Sequence, residues 1–182
     1  MSSVVSRNKL NDSILYILQD RPMEILRVVK MLYLADYLYA KTFGNREGFT
    51  GIYTRYEHGP VPQKFYDNYN QLLQDGTIHR NGNILESNTR IPSDALTEQE
   101  IACLDKILND FSSTSINKLL KVAYATEPME KIIEKETQMG VNRALLWADI
   151  NFDEIHLHPL MDNADIDTSF MDSPEFSKTL DD

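Results

Sequence analysis

The alternation of apolar and polar residues along the chain predicts a mainly helical domain. Apolar side chains recur at helical spacing in several segments, and over residues 23–42 they cover almost every face. A helix that is apolar all round is buried on most sides. We therefore expect residues 23–42 to form the central helix of the core, with Pro22 at its start and Gly44 at its end.

Shorter helices are predicted on both sides of this segment. They begin at Asn11 or Asp12, at Pro62, at Thr97, at Ser115 and at Pro128. The start at Thr97 carries the strongest signal, because Thr97 and Glu100 have the spacing of a capping box. Gly140 interrupts the last helix, and residues 141–150 contain further apolar side chains. The expected total is six or seven helices.

A small β element accompanies these helices. Residues 52–57 alternate in the manner of a strand, and residues 58–62, which read His-Gly-Pro-Val-Pro, predict a sharp turn. Further along, Asn81 and Gly82 stand between two short apolar stretches and predict a two-stranded hairpin. The predicted fold class is mainly α with a minor β part: a compact multi-helix domain with a buried central helix and a small hairpin.

Charge divides the chain into a body and a tail. The net charge of the 182 residues is -10. Residues 1–150 hold 17 basic and 19 acidic side chains (17 - 19 = -2), whereas residues 151–182 hold 1 and 9 (1 - 9 = -8). The body has the size of one domain, and the tail is too acidic to fold alone. We expect a flexible N-terminus over residues 1–10, a helical domain over residues 11–150 and an acidic C-terminal extension over residues 151–182.

Composition also excludes several classes of protein. No apolar run approaches the roughly 18 residues that cross a bilayer, and the N-terminus lacks the apolar region of a signal peptide. We expect a cytoplasmic protein with no membrane partner. Cys103 is the only cysteine, so the chain forms no internal disulfide. The acidic balance makes nucleic acid an unlikely partner, because phosphate binding requires a basic surface.

Catalytic and metal-binding patterns are weak. No Ser, Cys or Asp stands in a pattern with His58 that indicates a catalytic triad, so the favoured interpretation is that the His58 ring hydrogen-bonds the backbone of its own turn. Cys103 is interpreted as a packed apolar residue. His156 and His158 form an isolated pair in the tail, which is little evidence for a metal site. We expect no enzyme activity, no cofactor and no metal.

Tyrosines point to a binding surface. Eight aromatic residues cluster between the central helix and the helix after the turn: Tyr33, Tyr37, Tyr39, Tyr53, Tyr56, Phe65, Tyr66 and Tyr69. Most of them belong to the core in the simplest interpretation. Tyrosine nevertheless combines apolar area with a hydroxyl group, which favours protein recognition. A partner surface around the turn at residues 58–62 is the functional hypothesis that the residues themselves favour.

Two alternatives remain open from the residues alone. The order helix, helix, strand, helix, hairpin also occurs in winged-helix DNA-binding modules, but on the helix after the turn Lys64 is outnumbered by Asp67 and Asp75. The tail alternates acids with isolated apolar residues. It is either a segment that orders on a basic partner or a solubilising extension.

Two short stretches form a recognisable pair. Residues 30–37 read Lys-Met-Leu-Tyr-Leu-Ala-Asp-Tyr, and residues 56–62 read Tyr-Glu-His-Gly-Pro-Val-Pro, with Tyr66 one helical turn later. Together they resemble the signature of the SocA-like, or Panacea, antitoxin domain, and the resemblance extends over about residues 10–140. Met129 departs from the family pattern, in which a tryptophan commonly follows the proline at this point.

The resemblance implies a non-enzymatic antitoxin of a bacterial or phage toxin-antitoxin pair, which neutralises its cognate toxin by direct contact. The toxin gene is expected beside that of the antitoxin, and one branch of the family delivers its toxin to a protease as an adaptor. The motif positions are the candidate partner-binding residues: Tyr33, Asp36, Tyr56, His58, Gly59, Pro60 and Tyr66. Of these, Gly59 and Pro60 are expected to shape the turn and His58 to reach the partner.

The function can also be that of a winged-helix regulator or of a phage or prophage protein that binds a host factor. The oligomeric state is left open, with 1:1 and 2:2 complexes both compatible. If the toxin is a basic nucleic-acid enzyme, the acidic residues 151–182 are expected to act as a charge mimic of its substrate.

Overall fold

The computed structural model of the chain describes residues 8–19, 21–45, 47–150 and 152. Within these residues it contains six helices and six short strands. The helices are α1 (Lys9–Leu18), α2 (Ile25–Phe43), α3 (Phe65–Gln74), α4 (Glu98–Phe111), α5 (Ile116–Tyr124) and α6 (Glu127–Met139). The strands are β1 (Met23–Glu24), β2 (Tyr53–Tyr56), β3 (Gly59–Pro62), β4 (His79–Asn81), β5 (Ile84–Glu86) and β6 (Asp149–Ile150). The predicted class, mainly α with a minor β part, is confirmed; apart from Phe152, the predicted tail lies outside the described residues.

Helix α2 is the centre of the core, as its apolar pattern predicts. Fifteen of its 19 residues are buried, and it packs against α1, α4, α5 and β3. It ends at Gly44, whose φ of 71° lies in the left-handed region that glycine enters without steric cost. Among the charged side chains of α2, the same burial encloses Lys30 and Asp36 completely. Their partners determine how the neighbouring segments are arranged.

The start of α2 differs from the prediction. The sequence predicts that Met23 begins the helix, whereas Met23 and Glu24 form β1 and pair antiparallel with β5. Ile25 then donates its backbone N–H to the carbonyl of Asn83 at 2.9 Å. This pairing satisfies backbone groups that the first turn of a helix leaves without partners. The two residues are therefore better bonded as a strand.

Strands β4 and β5 form the predicted hairpin, with its turn one residue later than expected. Asn81 pairs with Ile84, so Gly82 and Asn83 are the central turn residues. Gly82 has a φ of 63°, the conformation that two-residue hairpin turns require at their first central position. With β1 at one edge, the sheet has the order β1-β5-β4.

The second sheet has the order β3-β2-β6 and corrects the predicted turn at residues 58–62. The turn is confined to Glu57 and His58, and β3 runs antiparallel to β2. The prediction was wrong because it treated Gly-Pro-Val-Pro as a breaker. Pro60 and Pro62 occupy alternate positions of an edge strand, where the amide nitrogens that lack hydrogen point away from β2.

The starts of α4, α5 and α6 follow the prediction. The Thr97 hydroxyl accepts the N–H of Glu100 at 3.2 Å, and the Glu100 carboxylate accepts the N–H of Thr97 at 2.7 Å, which completes the capping box. Ser115 caps α5, and Pro128 lies in the first turn of α6. These signals are local, so the tertiary structure does not override them.

Helix α1 begins earlier than predicted. Its cap is Asn8, whose side-chain oxygen accepts the N–H of Leu10 at 3.1 Å. Asn11 and Asp12, the predicted caps, therefore lie inside the helix. Lys9 and Leu10 belong to α1 and not to a flexible N-terminus, because the Asn8 cap satisfies the first free N–H groups one turn sooner.

The segment after α6 is not a seventh helix. Gly140 ends α6 in the left-handed region, and residues 142–147 form successive turns. Arg143 and Trp147 have φ values of 59° and 73°, which a helix does not permit. Trp147 donates its backbone N–H to the carbonyl of Arg55 at 2.8 Å. The segment therefore runs along the edge of β2 and leads into β6.

One buried carboxylate holds the loop between α2 and β2. Asp36 accepts the N–H of Phe49 at 2.7 Å and that of Thr50 at 3.2 Å. The hydroxyl groups of Thr50 and Tyr53 donate to the same carboxylate, the second at 2.8 Å. Gly48 passes so close that a Cβ there would lie 2.8 Å from the carboxyl carbon of Asp36. The loop is thus folded around the side chain of a core helix.

We expect Gly48→Ala to lower the free energy of unfolding more than Gly140→Ala. Both glycines have a φ of 68°, so both variants place alanine in the left-handed region at a cost of about 1–2 kcal/mol. Only at Gly48 does the new Cβ also meet Asp36, since nothing lies within 4 Å of it at Gly140. Overpacking should add at least about 1 kcal/mol, which urea denaturation measures. Equal losses would show that Asp36 does not fix the loop.

Candidate functional site

The seven motif residues divide into a buried and an accessible group. Tyr33, Asp36, Gly59 and Pro60 are buried. Tyr56 is half-buried, and His58 and Tyr66 are exposed. Only the second group is in a position to touch a partner directly. The structure therefore separates residues that shape the site from residues that can form a contact surface.

Tyr33 connects two distant segments inside the core. Its ring meets the ring of Tyr53 edge to face, with centroids 5.2 Å apart, and its hydroxyl lies 2.6 Å from the hydroxyl of Thr126. Burial raises the pKa of Tyr33 well above its ordinary value. Thr126 immediately precedes α6, so Tyr33 positions that helix against α2. This contact is structural.

Asp36 is fully buried among hydrogen-bond donors. Burial raises the pKa of its carboxyl group to about 6, although the donors from Thr50, Phe49 and Tyr53 act in the opposite direction. Desolvation thus outweighs the hydrogen bonds to the ionised form. Asp36 is an anchor of the loop and presents no surface to a partner.

Lys30 fastens the β2–β3 hairpin to α2. Its ammonium group is buried and donates to the carbonyl of Pro60 at 2.7 Å. Gly59 beside it has a φ of 88°, and a Cβ there would lie 3.4 Å from the ring of Tyr124. Burial, with a smaller effect of the charge on Arg55, lowers the pKa of Lys30 to about 7. Gly59 and Pro60, which the sequence analysis expects to shape the turn, lie in β3 directly after the two turn residues.

These anchors share one face of α2. Lys30, Tyr33 and Asp36 are spaced three residues apart, which places them along the same side of a helix. Each binds a different segment: Lys30 binds β3, Tyr33 binds the start of α6, and Asp36 binds the loop before β2. The first motif is therefore a row of three polar anchors.

A cleft of about 240 Å³ opens beside the hairpin. Its walls are mostly apolar, with side chains of Ile25, Leu26, Val29 and Val61. The rings of Tyr56 and Tyr66 also line it, and its polar lining residues are Lys30, His58 and Asn83. An apolar hollow with a few polar groups is the usual form of a binding pocket. Tyr56, His58 and Tyr66 of the motif thus meet at one place.

Aromatic rings extend from this cleft across the surface. Tyr56 lies between two neighbours, with its centroid 6.0 Å from that of Tyr66 and 4.5 Å from that of Trp147. The exposed fractions of Tyr66 and Trp147 are 45% and 65%. We refer to Tyr56, His58, Tyr66 and Trp147 as the aromatic surface.

Arg55 supports this surface from beneath. Its guanidinium forms a buried ion pair with Glu136 at 3.3 Å and donates to the hydroxyl of Tyr124 at 3.1 Å. Glu136 in turn accepts the backbone N–H of Leu145 at 3.2 Å. The ion pair therefore links β2, α6 and the turns that carry Trp147. Removing one partner of such a pair leaves an uncompensated buried charge, which costs about 3–5 kcal/mol.

The family model described as antitoxin SocA-like, Panacea domain, matches residues 28–128. The chain belongs to this family. Membership implies an antitoxin role, with a toxin as the partner and a regulatory rather than a catalytic activity. No curated protein and no solved structure matches the chain.

The family match covers part of the aromatic surface. Tyr56, His58 and Tyr66 lie inside the matched residues, whereas Glu136 and Trp147 lie beyond them. In the described part of the chain, no helix has both the length and the apolar character needed to cross a bilayer. The matched residues thus supply most of the cleft, whose lining residues Ile25 and Leu26 precede the match, and the segment after the match supplies the most exposed ring.

Of the other candidates from the sequence, the structure describes only Cys103. Cys103 is buried, and burial raises its pKa to about 12, so the thiol is protonated at neutral pH. His156 and His158 lie outside the described residues. Within those residues, no three His, Cys, Asp or Glu side chains are placed to hold a metal ion.

Sequence reasoning missed two residues of the site. Lys30 belongs to the first motif, and a charged residue in a helix that is otherwise apolar all round is a signal for a buried anchor. Trp147 gave no comparable signal. Its exposure depends on a left-handed backbone conformation and on pairing with Arg55, 92 positions earlier.

Raising the pH from about 4 to about 6 should destabilise the natural protein relative to Asp36→Asn. The folded protein holds the Asp36 proton more tightly than the unfolded chain, whose carboxyl has the ordinary pKa of 3.8. The bound proton of Asp36 therefore stabilises the folded state fully below pH 3.8, and this stabilisation is lost as the pH rises through about 6. Two pKa units correspond to about 3 kcal/mol. Urea denaturation across this range measures the difference, and parallel curves for the two proteins would contradict the assignment.

Proposed function

We propose that this protein is an antitoxin that neutralises one toxin protein by direct contact through the aromatic surface. The observation that carries the proposal is the junction of Tyr56, Tyr66 and Trp147 with the apolar cleft. It supports binding because tyrosine and tryptophan contribute much of the binding energy at protein interfaces. The chain itself takes part in no catalytic step.

The surface is rigid enough to act as a preformed binding site. Tyr56 is on β2, whose backbone pairs with β3 on one side and with the Trp147 segment on the other. Beneath it, the Lys30 hydrogen bond and the Arg55–Glu136 ion pair fix the hairpin to α2 and to α6. A preordered surface loses less conformational entropy when it binds a partner.

The motif residues take two roles in this proposal. Tyr56, His58 and Tyr66 contact the toxin, and an apolar side chain of the toxin enters the cleft. Tyr33, Asp36, Gly59 and Pro60 act indirectly by holding the elements that carry the contact residues. The sequence predicts a cytoplasmic protein. In this proposal its partner is a toxin encoded by a neighbouring gene.

Co-expression with the neighbouring open reading frame tests this function. We expect the neighbour to be toxic alone and harmless with this protein. Tyr66→Ala and Trp147→Ala should each weaken toxin binding about tenfold to a hundredfold, because each removes an aromatic anchor worth about 1.4–2.8 kcal/mol. Titration calorimetry of the purified pair measures the loss.

The matched control is Gln71→Ala, which changes another exposed position on α3, the helix that carries Tyr66. It should bind the toxin with unchanged affinity. A neighbour that is harmless alone would remove the antitoxin role, whereas an equal loss in all three variants would remove the assigned surface. A pull-down that recovers a protease subunit together with the toxin would add the adaptor role, and recovery of an unrelated host protein would favour a host-directed factor.

DNA binding is a second candidate, favoured by the order of elements. Helices α2 and α3 followed by the β4–β5 hairpin, with β1 at the edge of the same sheet, have the order of a winged-helix module. Lys64 and Arg80 are exposed on the corresponding helix start and hairpin. Fold order alone does not establish function, and the acidic residues Asp67 and Asp75 on the same helix oppose phosphate binding.

The DNA candidate predicts that the protein retards a DNA fragment carrying its own promoter. Retardation should weaken steeply with added salt, since phosphate contacts release counterions. Lys64→Ala should weaken it further, whereas Lys118→Ala on α5 should not. Electrophoretic mobility at several salt concentrations measures both effects. Unretarded DNA at low salt would remove this candidate.

A further inference from the structure

The cleft beside the aromatic surface favours an occupant of mixed character. Its walls supply apolar area, and its ionisable lining residues other than tyrosine are Lys30 and His58. None of the described residues that line it carries a carboxylate. An apolar side chain next to an acidic one would match both the shape and the charge of this hollow.

Below its pKa of about 7, Lys30 gives the cleft a positive charge that no described lining residue balances. The nearby Arg55 is paired with Glu136, so that carboxylate is already occupied by another cation. The charge on Arg55 also contributes to the lowered pKa of Lys30. An ammonium group has three donors, and Lys30 forms one hydrogen bond with the described residues, to the Pro60 carbonyl. Because a buried charge is screened less than an exposed one, it acts on an occupant of the cleft.

The C-terminal extension contains a segment of this chemistry. Residues 165–176 read Asp-Ile-Asp-Thr-Ser-Phe-Met-Asp-Ser-Pro-Glu-Phe. In this segment Ile166 lies between Asp165 and Asp167, Met171 precedes Asp172, and Glu175 precedes Phe176, so apolar and acidic side chains are adjacent at three places. The segment carries four acids and no basic residue.

The C-terminal extension begins close to the cleft. The Phe152 ring lies 5.9 Å from that of Tyr33, and Tyr33 is one helical turn, about 5 Å along the axis, from Lys30. Asp165 follows Phe152 by 13 positions, which an extended chain spans in about 40 Å. A tethered segment within reach has an effective concentration of about 1 mM, so weak affinity is enough for occupancy.

We propose that residues 165–176 occupy the cleft in the free protein. An apolar side chain of the segment enters between Val29 and Tyr66, and an adjacent carboxylate faces His58 and the charge of Lys30. The toxin displaces the segment when it binds the aromatic surface. This last step rests on the proposed function, whereas occupancy of the cleft does not.

Paramagnetic relaxation in the full-length protein tests the proposal. Cys103 is buried, so a nitroxide reagent labels the Ser177→Cys variant at position 177 alone. The label should broaden the amide signals of Tyr66 and Asn83 beside the cleft. The amide signal of Gly44, about 20 Å from Val29 along α2, should stay sharp. Uniform broadening, or none, would overturn the proposal.

Two pairs of tail substitutions separate docking of this segment from general charge attraction. Asp172→Asn with Glu175→Gln should reduce the broadening at Tyr66 and Asn83. Asp181→Asn with Asp182→Asn removes the same charge outside the segment and should leave the broadening in place. Equal losses in both pairs would contradict the assignment to residues 165–176. Added salt should reduce the broadening, because the attraction is partly electrostatic.

This experiment contains no toxin, so its outcome is independent of the antitoxin role. If the tail does not broaden the cleft signals but Tyr66→Ala still weakens toxin binding, the proposed function stands and tail docking is wrong. If the broadening is found and the neighbouring gene product is harmless, tail docking stands and the proposed function is wrong. If both proposals stand, the variant with Asp172→Asn and Glu175→Gln should bind the toxin more tightly, since the competing segment occupies the cleft less.

Discussion

The ammonium group of Lys30 lies inside the core and donates to the carbonyl of Pro60. Burial of a cation costs several kcal/mol, and the lowered pKa of Lys30, about 7, reflects that cost. One carbonyl offsets only part of it. The contact instead contributes position, because it joins the middle of α2 to the edge strand β3. The cleft lies where these two elements meet, and β3 pairs with β2, the strand that carries Tyr56 of the aromatic surface.

The same principle extends along α2. Lys30, Tyr33 and Asp36 lie on one face of the helix, and each holds a segment that is distant in sequence. Apolar packing alone permits neighbouring segments to slide, whereas a buried polar group must keep its partner in place. The row of anchors therefore determines the relative positions of β3, the start of α6 and the loop before β2. The accessible residues of the site are placed by residues that no partner touches.

Local signals in the sequence predicted much of this fold. The apolar pattern of α2, the capping box at Thr97 and Glu100, and the hairpin around Gly82 each depend on residues close in sequence. The errors concern pairing between distant segments. β3 was predicted as a turn because its prolines tolerate a strand only at a sheet edge, and the exposure of Trp147 depends on its bond to Arg55. Within the candidate site, the motif predicted Tyr56, His58 and Tyr66. It did not predict which motif residues are buried anchors and which are accessible to a partner.

The aromatic surface is assembled from two parts of the chain with different relations to the family. Residues 28–128, which match the SocA-like domain, carry the row of anchors, the hairpin and most of the residues that line the cleft. Trp147 and Glu136 lie outside that match, and the ion pair of Glu136 with Arg55 joins them to it. The partners of the three anchors, Pro60, Thr126 and the loop before β2, lie outside the segment that carries Trp147. The fold thus separates the residues that hold the domain together from those that can adapt it to a particular partner.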